Sequence, residues 1–361
     1  MNPQRTVIFL LFTGLAFVSA FGQASAPELK WIDASSLAVE GRGWTDTKSF
    51  YDRLPGRAEG VVRPPVWDLG HDSAGMVIHF ASDTPELQVR WTLTSEQLAL
   101  SNMSASGASG LDLYVRVKGG WHWLAAARAA SRKGNAATLF EHLPAECREF
   151  LLYLPLYNGI ESLQLGTPKA CKVAPVVRAL KPIVFYGTSI VQGGSAMRPG
   201  MAYPAVLGRR LDRPIVNLGF AGNGRAEPEM VALLAELDPA AYVVDCLPNM
   251  GSEDVPRLAA LVAGLREKHP ETPIILVENA EYPDGFMILA KKAACEKSNQ
   301  KLREIYDRLS RGDHHLDYVP SRGLIGEDGE GTVDGVHPTD LGIMRMADQM
   351  EPVLRHALAQ P

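Results

Sequence analysis

The chain has 361 residues, of which 46% are hydrophobic, and this is enough to form the cores of about two domains of roughly 150 residues each. The formal net charge is −5 at pH 7, and no run of Lys and Arg is interleaved with aromatic residues. This composition excludes the basic surface that nucleic acids require, so we expect no nucleic-acid partner.

The N-terminal segment has the pattern of a secretory signal peptide. Arg5 precedes an apolar stretch over residues 7–18, and small residues follow at Ala20 and Ala24. This stretch is shorter than the about 20 residues of a membrane-spanning helix, and no later segment is long and apolar enough to span. We expect residues 1–24 to be a signal peptide of a secreted or periplasmic protein with no stable membrane partner; a retained anchor is the alternative.

Residues 25–170 have the pattern of an all-β domain. In the segments ELQVRWTL and LDLYVRV, apolar residues occupy every second position over 87–93 and 111–117. Short alternating strands separated by Gly, Pro, Asn and Asp are typical of a β-sandwich or jelly roll. We predict that fold for residues 25–170 and a linker over residues 171–181.

From residue 182 onward, apolar strands alternate with amphipathic helices. The predicted strands are 182–186, 214–220, 241–247, 273–278 and 315–319. Between the third and fourth strands, Leu258, Leu261 and Leu265 fall on one helical face. Continuous apolar strands with helical crossovers predict an α/β domain over residues 182–361, with a parallel sheet sandwiched by helices.

Polar residues gather at the carboxyl ends of these strands, where open α/β sheets bind their ligands. Ser189 follows the first strand, Gly222 the second and Asn249 the third. Asp334 and His337 follow the fifth strand. Each residue taken alone has an ordinary interpretation as a turn residue, loop former or cap. Together they provide what acyl transfer requires, which is a hydroxyl, a base, a carboxylate and oxyanion donors.

This set predicts a role for each residue. Ser189 is the predicted nucleophile, His337 its base, and Asp334 the carboxylate that orients His337. The backbone N–H groups of Ser189 and Gly222 and the side-chain amide of Asn249 are the predicted oxyanion hole. Such chemistry needs no metal and no cofactor.

The same positions resemble the SGNH (GDSL-like) hydrolase family, whose named residues are Ser, Gly, Asn and His. The matching segments are GTSI, FAGNG, LPNM and DGVH, which contain the five residues above. The resemblance covers about residues 182–345 and implies a flavodoxin-like sheet and a serine esterase. Thr188 replaces the usual Asp of GDS, and Leu247 and Met250 replace the usual residues of the Asn block. These departures affect no predicted triad residue.

A second resemblance concerns the N-terminal region. The segment GLDLY, residues 110–114, is similar to the G-x-D-L-Y signature of a secreted subgroup with an N-terminal β-domain. Members of this subgroup and its neighbours include deacetylases of plant polysaccharides. The resemblance therefore implies an acetylated polysaccharide or oligosaccharide as substrate.

Other residues near these motifs have two interpretations each. Arg198 and Tyr203 are possible substrate-binding residues, although Arg198 could equally hold its loop by an ion pair. Trp121 and Trp123 could stack on sugars or belong to the core. The segment VENAEYPDGF, residues 277–286, is predicted to form a wall of the cleft.

Several alternatives stay open at this point. An α/β-hydrolase would have G-x-S-x-G, but Val191 stands where its last Gly belongs, and a phosphate loop would need a Lys that is absent. Asp334 and His337 could bind a metal with His314 and His315. The chain could also be a lipase or thioesterase of the same family, or a non-catalytic carbohydrate-binding protein.

Four cysteines occur without any C-x-x-C spacing, at Cys147, Cys171, Cys246 and Cys295. This spacing does not fit a zinc site or a disulfide scaffold, so buried free thiols are expected. A bond between Cys147 and Cys171 is the alternative in an oxidising compartment. The sequence leaves the oligomeric state open.

Overall fold

The computed structural model describes residues 28–359, so the predicted signal peptide over residues 1–24 lies outside the described residues. The strands are β1 Leu29–Asp33, β2 Ala38–Glu40, β3 Val77–Ser82, β4 Leu87–Leu93, β5 Leu111–Val117, β6 Gly120–Ala127, β7 Asn135–Phe140, β8 Arg148–Tyr153, β9 Ile160–Pro168, β10 Val173–Pro175, β11 Ile183–Gly187, β12 Ile215–Gly219, β13 Ala241–Asp245, β14 Ile274–Val277 and β15 Leu316–Val319. The helices are α1 Pro64–Leu69, α2 Ala105–Ala108, α3 Ser189–Gln192, α4 Tyr203–Arg210, α5 Pro228–Leu234, α6 Arg257–Arg266, α7 Leu289–Leu309 and α8 Asp340–Leu358. No helix within this range is long and apolar enough to cross a membrane.

Strands β1 to β10 form two antiparallel sheets. One has the order β1-β9-β4-β7 and the other the order β10-β3-β8-β5-β6, with β2 paired to β3. The two sheets share a core in which Trp91 of β4 lies in one cluster with Phe80 and Phe150 of the other sheet. The all-β prediction is confirmed, with two differences. Val117 is exposed at the end of β5, and part of the predicted linker is strand β10.

The five strands predicted after residue 182 form one parallel sheet in the order β12-β11-β13-β14-β15. Counted from its own first strand, this is the order 2-1-3-4-5 of flavodoxin-like folds, and the strand order reverses between β11 and β13. Leu258, Leu261 and Leu265 of α6 are buried as predicted. Separate apolar clusters cover the two faces of the sheet. The first and third strand-end loops therefore flank the point where ligands bind in such folds.

Residues 41–76, here called the edge segment, connect β2 to β3 and pack on the parallel sheet. The edge segment lies beside β12, which pairs with β11 on one side only among the described strands. Fully buried Arg53 donates from Nη1 to the carbonyl oxygens of Asn217 and Gly219, at 3.2 and 2.6 Å. A Cβ on Gly75 would lie 2.4 Å from Cβ of Asn217, so this approach requires glycine. The N-terminal region thus closes one edge of the parallel sheet.

Candidate active site

Ser189 begins helix α3 directly after β11. The hydroxyl of Thr188 accepts a hydrogen bond from the N–H of Ile190 at 3.2 Å and so caps the helix. Threonine and aspartate are both favoured N-cap residues, so the departure from the GDS motif is compatible with a side-chain cap here. As the first residue of the helix, Ser189 has an N–H with no carbonyl partner inside the helix.

Ser189, His337 and Asp334 form a hydrogen-bonded chain. Ser189 Oγ lies 2.9 Å from His337 Nε2, and His337 Nδ1 lies 2.8 Å from Asp334 Oδ2. Burial by itself would raise the pKa of Asp334, but the backbone N–H and the ring of His337 outweigh it and lower that pKa to about 2. The ionised carboxylate accepts the Nδ1 proton, which leaves Nε2 free to accept the proton of Ser189.

The glycine pair after α3 makes room for His337, the predicted base. Gly193 ends the helix with φ of 111°, in the left-handed region that favours glycine. A Cβ on Gly194 would lie 2.9 Å from His337 Cδ2 and 3.1 Å from the carbonyl oxygen of Ser189. Both glycine N–H groups donate to that carbonyl oxygen, at 3.0 and 2.7 Å. The pair is therefore part of the geometry around Ser189.

The two other predicted oxyanion donors lie on the next strand-end loops. Gly222 has φ of 70°, and its N–H donates to no other described residue. Asn249 accepts the N–H of Gly224 at its Oδ1 at 3.2 Å, while its Nδ2 donates to no described residue. A Cβ on Gly224 would lie only 2.0 Å from the carbonyl oxygen of Gly187, so this loop touches the end of β11. The contact with Gly224 orients the Asn249 amide and leaves its N–H groups available.

Gln192, in the segment after β11, bonds to the loop after β12. It is not among the residues predicted from the sequence. Its buried Nε2 donates to Asp72 Oδ2 at 2.8 Å and to the carbonyl oxygen of Leu156 at 3.0 Å, while its Oε1 accepts the N–H of Ala221 at 3.0 Å. Because Ala221 precedes Gly222, these bonds position the Gly222 N–H. The partners are far apart along the chain, so no local pattern signals this role.

Arg198 and Tyr203 have partners inside the protein. Arg198 Nη1 donates to Asp112 Oδ2 at 2.8 Å and to the hydroxyl of Tyr114 at 2.5 Å. The ion-pair interpretation of Arg198 is therefore the one that the contacts favour. Tyr203 is fully buried and donates to Asp245 Oδ2 at 3.1 Å. The substrate-binding role of Tyr203 stays a prediction, and the contact that the structure gives this side chain lies inside the protein.

The GLDLY signature and Trp121 also join the two regions, whereas Trp123 bonds to Asp112 within the sandwich. Asp112 is fully buried and accepts the N–H of Gly200 at 2.9 Å at the same oxygen that binds Arg198. Trp123 Nε1 donates to the other oxygen of Asp112 at 2.9 Å. Trp121 Nε1 donates to Asp212 Oδ1 at 3.2 Å. Neither tryptophan belongs to the sandwich core, and Trp123 is half exposed.

The segment predicted to form a wall of the cleft lines a cavity that does not include the predicted catalytic residues. Tyr282 and Phe286 line a cavity of about 710 Å³, although Ser189 does not. Lys291 at the start of α7 donates to the carbonyl oxygen of Gly335 at 3.1 Å, which ties this part of the chain to the loop of Asp334 and His337. Lys291 also donates to Asp284, so it joins the segment of residues 277–286 to the loop of Asp334 and His337.

The remaining predicted groups show no special chemistry. Cys147 and Cys171 are both free, and so are Cys246 and Cys295. Within residues 28–359, no group of three or more His, Cys, Asp or Glu side chains is placed to hold a metal ion.

Comparisons with known proteins extend over nearly the whole described chain. Residues 180–355 match the GDSL-like lipase/acylhydrolase family, and residues 29–173 match the GxDLY N-terminus of SGNH-type esterases. A structure described as a GDSL-like lipase from Bacteroides ovatus is 32% identical, with a TM-score of 0.87 over 92% of this chain and 98% of that chain. The curated proteins contain no match.

Two more distant structures share the fold. A salicylyl-acyltransferase from a tetracycline biosynthetic pathway is 18% identical, with a TM-score of 0.74 over 92% of this chain and 98% of that chain. A family two carbohydrate esterase from Cellvibrio japonicus is 16% identical, with a TM-score of 0.58 over 92% and 99%. The identity to the Bacteroides protein and the two matching family regions establish that the chain belongs to the GDSL-like lipase/acylhydrolase family of SGNH-type esterases.

Proposed function

We propose that the protein is a secreted serine esterase that removes short acyl groups, acetyl in particular, from a carbohydrate. The observation that carries the proposal is the chain of hydrogen bonds from Ser189 through His337 to Asp334. The GLDLY signature and the fold shared with a carbohydrate esterase support the substrate class. The signal-like sequence of residues 1–24 supports secretion.

The proposed reaction has two acyl-transfer steps. Ser189 Oγ attacks the ester carbonyl carbon as its proton passes to Nε2 of His337, and Asp334 stabilises the resulting imidazolium. The tetrahedral intermediate collapses when His337 protonates the departing sugar hydroxyl, which leaves the acyl group on Ser189. His337 then deprotonates a water molecule that attacks the acyl-enzyme, and the second collapse returns the proton to Ser189 and releases the carboxylic acid. No step requires a metal or a cofactor.

The oxyanion of both intermediates would be stabilised by three donors. These are the N–H groups of Ser189 and Gly222 and the Nδ2 amide of Asn249, which have no competing acceptors among the described residues. Each such donor contributes roughly 2.7–4 kcal/mol to transition-state stabilisation in enzymes where one has been removed. Their availability is what an acyl-transfer site requires.

A second candidate function is the hydrolysis of a more apolar ester. Phe286, Met287 and Leu289 are 78%, 75% and 69% exposed, and Val333, beside Asp334, is 50% exposed. Lys291, two residues after Leu289, bonds to Gly335 in the loop of Asp334 and His337, and exposed apolar side chains beside that loop favour contact with an apolar part of a substrate. A lipase or thioesterase would use them in that way.

Hydrolysis of p-nitrophenyl acetate by the wild type, Ser189→Ala and Ser195→Ala tests the proposal. Ser195 is a matched control because it is buried in the same segment and its hydroxyl has no partner. We expect Ser189→Ala to fall to the background rate and Ser195→Ala to remain active. Equal rates for the wild type and Ser189→Ala would refute the esterase mechanism.

Two substrate series separate the candidate functions. Acetate release from a panel of acetylated polysaccharides would identify the sugar. Rates on p-nitrophenyl acetate, butyrate and octanoate should decrease with chain length for a carbohydrate deacetylase. A rate that increases with chain length would favour the apolar ester instead.

A further inference from the structure

A turn of the β-sandwich reaches the catalytic residues. Leu100 and Met103 form an isolated β-bridge with hydrogen bonds of 2.9 and 3.1 Å, so Ser101 and Asn102 lie at the tip of a two-residue turn. The Nδ2 atom of Asn102 lies 3.1 Å from Asp334 Oδ2. A residue of the N-terminal region therefore contacts a member of the predicted triad.

The chemistry of its neighbours fixes the orientation of the Asn102 amide. Asp334 is ionised and acts only as an acceptor, so the Nδ2 donor and not the amide oxygen must face it. Asn102 Nδ2 also lies 3.2 Å from His337 Nδ1, but that nitrogen already donates its proton to Asp334. Asn102 and His337 are therefore two donors that share one oxygen, Asp334 Oδ2.

The turn is anchored close to the nucleophile. Met103 is 4% exposed and lies in the same apolar cluster as Ile190, the residue after Ser189, and Ala196. Leu100 packs against that cluster from the other strand of the bridge. Because both flanking residues are held, the position of Asn102 is fixed relative to α3.

We propose that Asn102 is a positioning residue that holds the Asp334 carboxylate in line with His337, so that the catalytic site is completed by the β-sandwich. This inference rests on the proposed function of the triad. Asn102 donates a second hydrogen bond to Oδ2 beside that of His337, and this bond opposes rotation of the carboxylate away from the ring. It also competes with His337 for the same oxygen, which weakens the stabilisation of the imidazolium.

Three variants of the full chain test this role: Asn102→Ala, Asn102→Asp and Ser101→Ala. Ser101 is the matched control because it is exposed in the same turn and contacts no triad residue. We expect Asn102→Ala to lower kcat for p-nitrophenyl acetate about tenfold with little change in KM, since a hydrogen bond to a charged group is lost. Ser101→Ala should behave as the wild type.

The pH dependence of kcat/KM gives a readout that a structural role would not move. In Asn102→Ala the Asp334 carboxylate stabilises the imidazolium without a competing donor. The acid limb of the profile, where kcat/KM falls as pH decreases, should therefore move to higher pH. In Asn102→Asp a second carboxylate beside Nδ1 should move that limb further. The other charged groups near the catalytic loop, Asp284, Lys291 and Asp340, are the same in all variants.

The outcomes separate this inference from the proposed function. Wild-type kcat and an unmoved acid limb in both Asn102 variants, with an inactive Ser189→Ala, would overturn the positioning role and leave the esterase intact. An active Ser189→Ala would overturn the triad and with it the inference. If thermal unfolding shows that Asn102→Ala is unfolded, the isosteric Asn102→Asp decides by the same pH profile.

Discussion

Asp334 accepts four hydrogen bonds in the structure. Oδ1 accepts the backbone N–H groups of Val336 and His337 at 3.1 and 2.8 Å, and Oδ2 accepts the His337 ring and Asn102. A carboxylate has about four acceptor positions, so all of them are used. The resulting pKa of about 2 keeps Asp334 ionised across the neutral range, so protonation of Asp334 cannot cause a loss of activity between pH 5 and pH 7.

Asn249 provides the first prediction at the scale of single residues. Asn249→Ala should lower kcat by roughly 10² to 10³, because one oxyanion donor is lost, with a smaller change in KM. Asn249→Asp keeps the oxygen that accepts the Gly224 N–H but lacks the amide donor, so it should lose a comparable factor. Steady-state kinetics on p-nitrophenyl acetate, with circular dichroism as the check on folding, would measure both. Full activity in Asn249→Asp would exclude Asn249 from the oxyanion hole.

The sequence predicts some site residues and not others for a physical reason. Ser189 and Asn249 follow apolar strands, and parallel strands bring their carboxyl ends to one edge, so their proximity is predictable. Asn102 lies 232 residues from Asp334 in a turn of another sheet, and nothing in the local pattern gives its position. The prediction for Tyr203 rests on its closeness to Ser189 along the chain, and that closeness carries no information on the burial of its side chain.

At the scale of secondary structure, the end of β13 carries a fully buried carboxyl group, Asp245. Burial raises the pKa of Asp245 to about 7, although the hydrogen bond from Tyr203 lowers it in part. Its carbonyl oxygen packs so closely on β11 that a Cβ on Gly187 would lie 2.0 Å away. A carboxyl group in this position is protonated below neutral pH, and its ionisation disfavours the folded state.

Asp245→Asn should therefore change how stability depends on pH. The folded pKa of about 7 lies above the ordinary 3.8, so the wild type should lose stability as pH rises between these values. The Asn variant stays neutral and should exceed the wild type by on the order of 3 kcal/mol at pH 8 but not at pH 4. Urea unfolding at the two pH values measures this difference. Asp238→Asn, at an exposed carboxylate, is the control, and equal effects of both variants would contradict the argument.

The strands of the parallel sheet are predictable because each is a run of apolar and β-branched residues bounded by polar ones. Each of the five predicted segments overlaps one strand of the sheet. The edge segment, residues 41–76, has no comparable run of apolar residues. It makes its contacts through single side chains, as Arg53 does with β12. Its placement depends on the finished sheet and not on a pattern of its own.

At the scale of the whole molecule, the two matched family regions share one apolar cluster. Tyr114 and Tyr153 of the sandwich lie in this cluster with Phe185 of the parallel sheet. The buried ion pair between Asp112 and Arg198 joins the same two regions. This shared packing predicts that the regions unfold together.

Arg198→Ala tests the contribution of that pair. The change leaves the buried Asp112 without its cation, and removing one partner of a buried pair costs about 3–5 kcal/mol of unfolding free energy. The loss of unfolding free energy should be larger at pH 8 than at pH 5. Burial already raises the pKa of Asp112, and without Arg198 the ionised form of this carboxyl group costs more in the folded protein than the protonated form. Urea unfolding at the two pH values measures it. Arg116→Ala breaks the exposed pair with Asp212 between the same regions and should cost only about 0–1 kcal/mol, so comparable losses would contradict the prediction.

The bonds from Arg53 to the edge of β12 have a consequence for how this catalytic region can be used. A strand edge that is left open pairs readily with strands of other molecules and leads to aggregation. A protein shortened to residues 182–361 would lose Arg53 and the rest of the edge segment, and so would expose β12. We therefore expect the catalytic region to be inherited together with its N-terminal partner, because recombination that moved it alone would yield an insoluble enzyme.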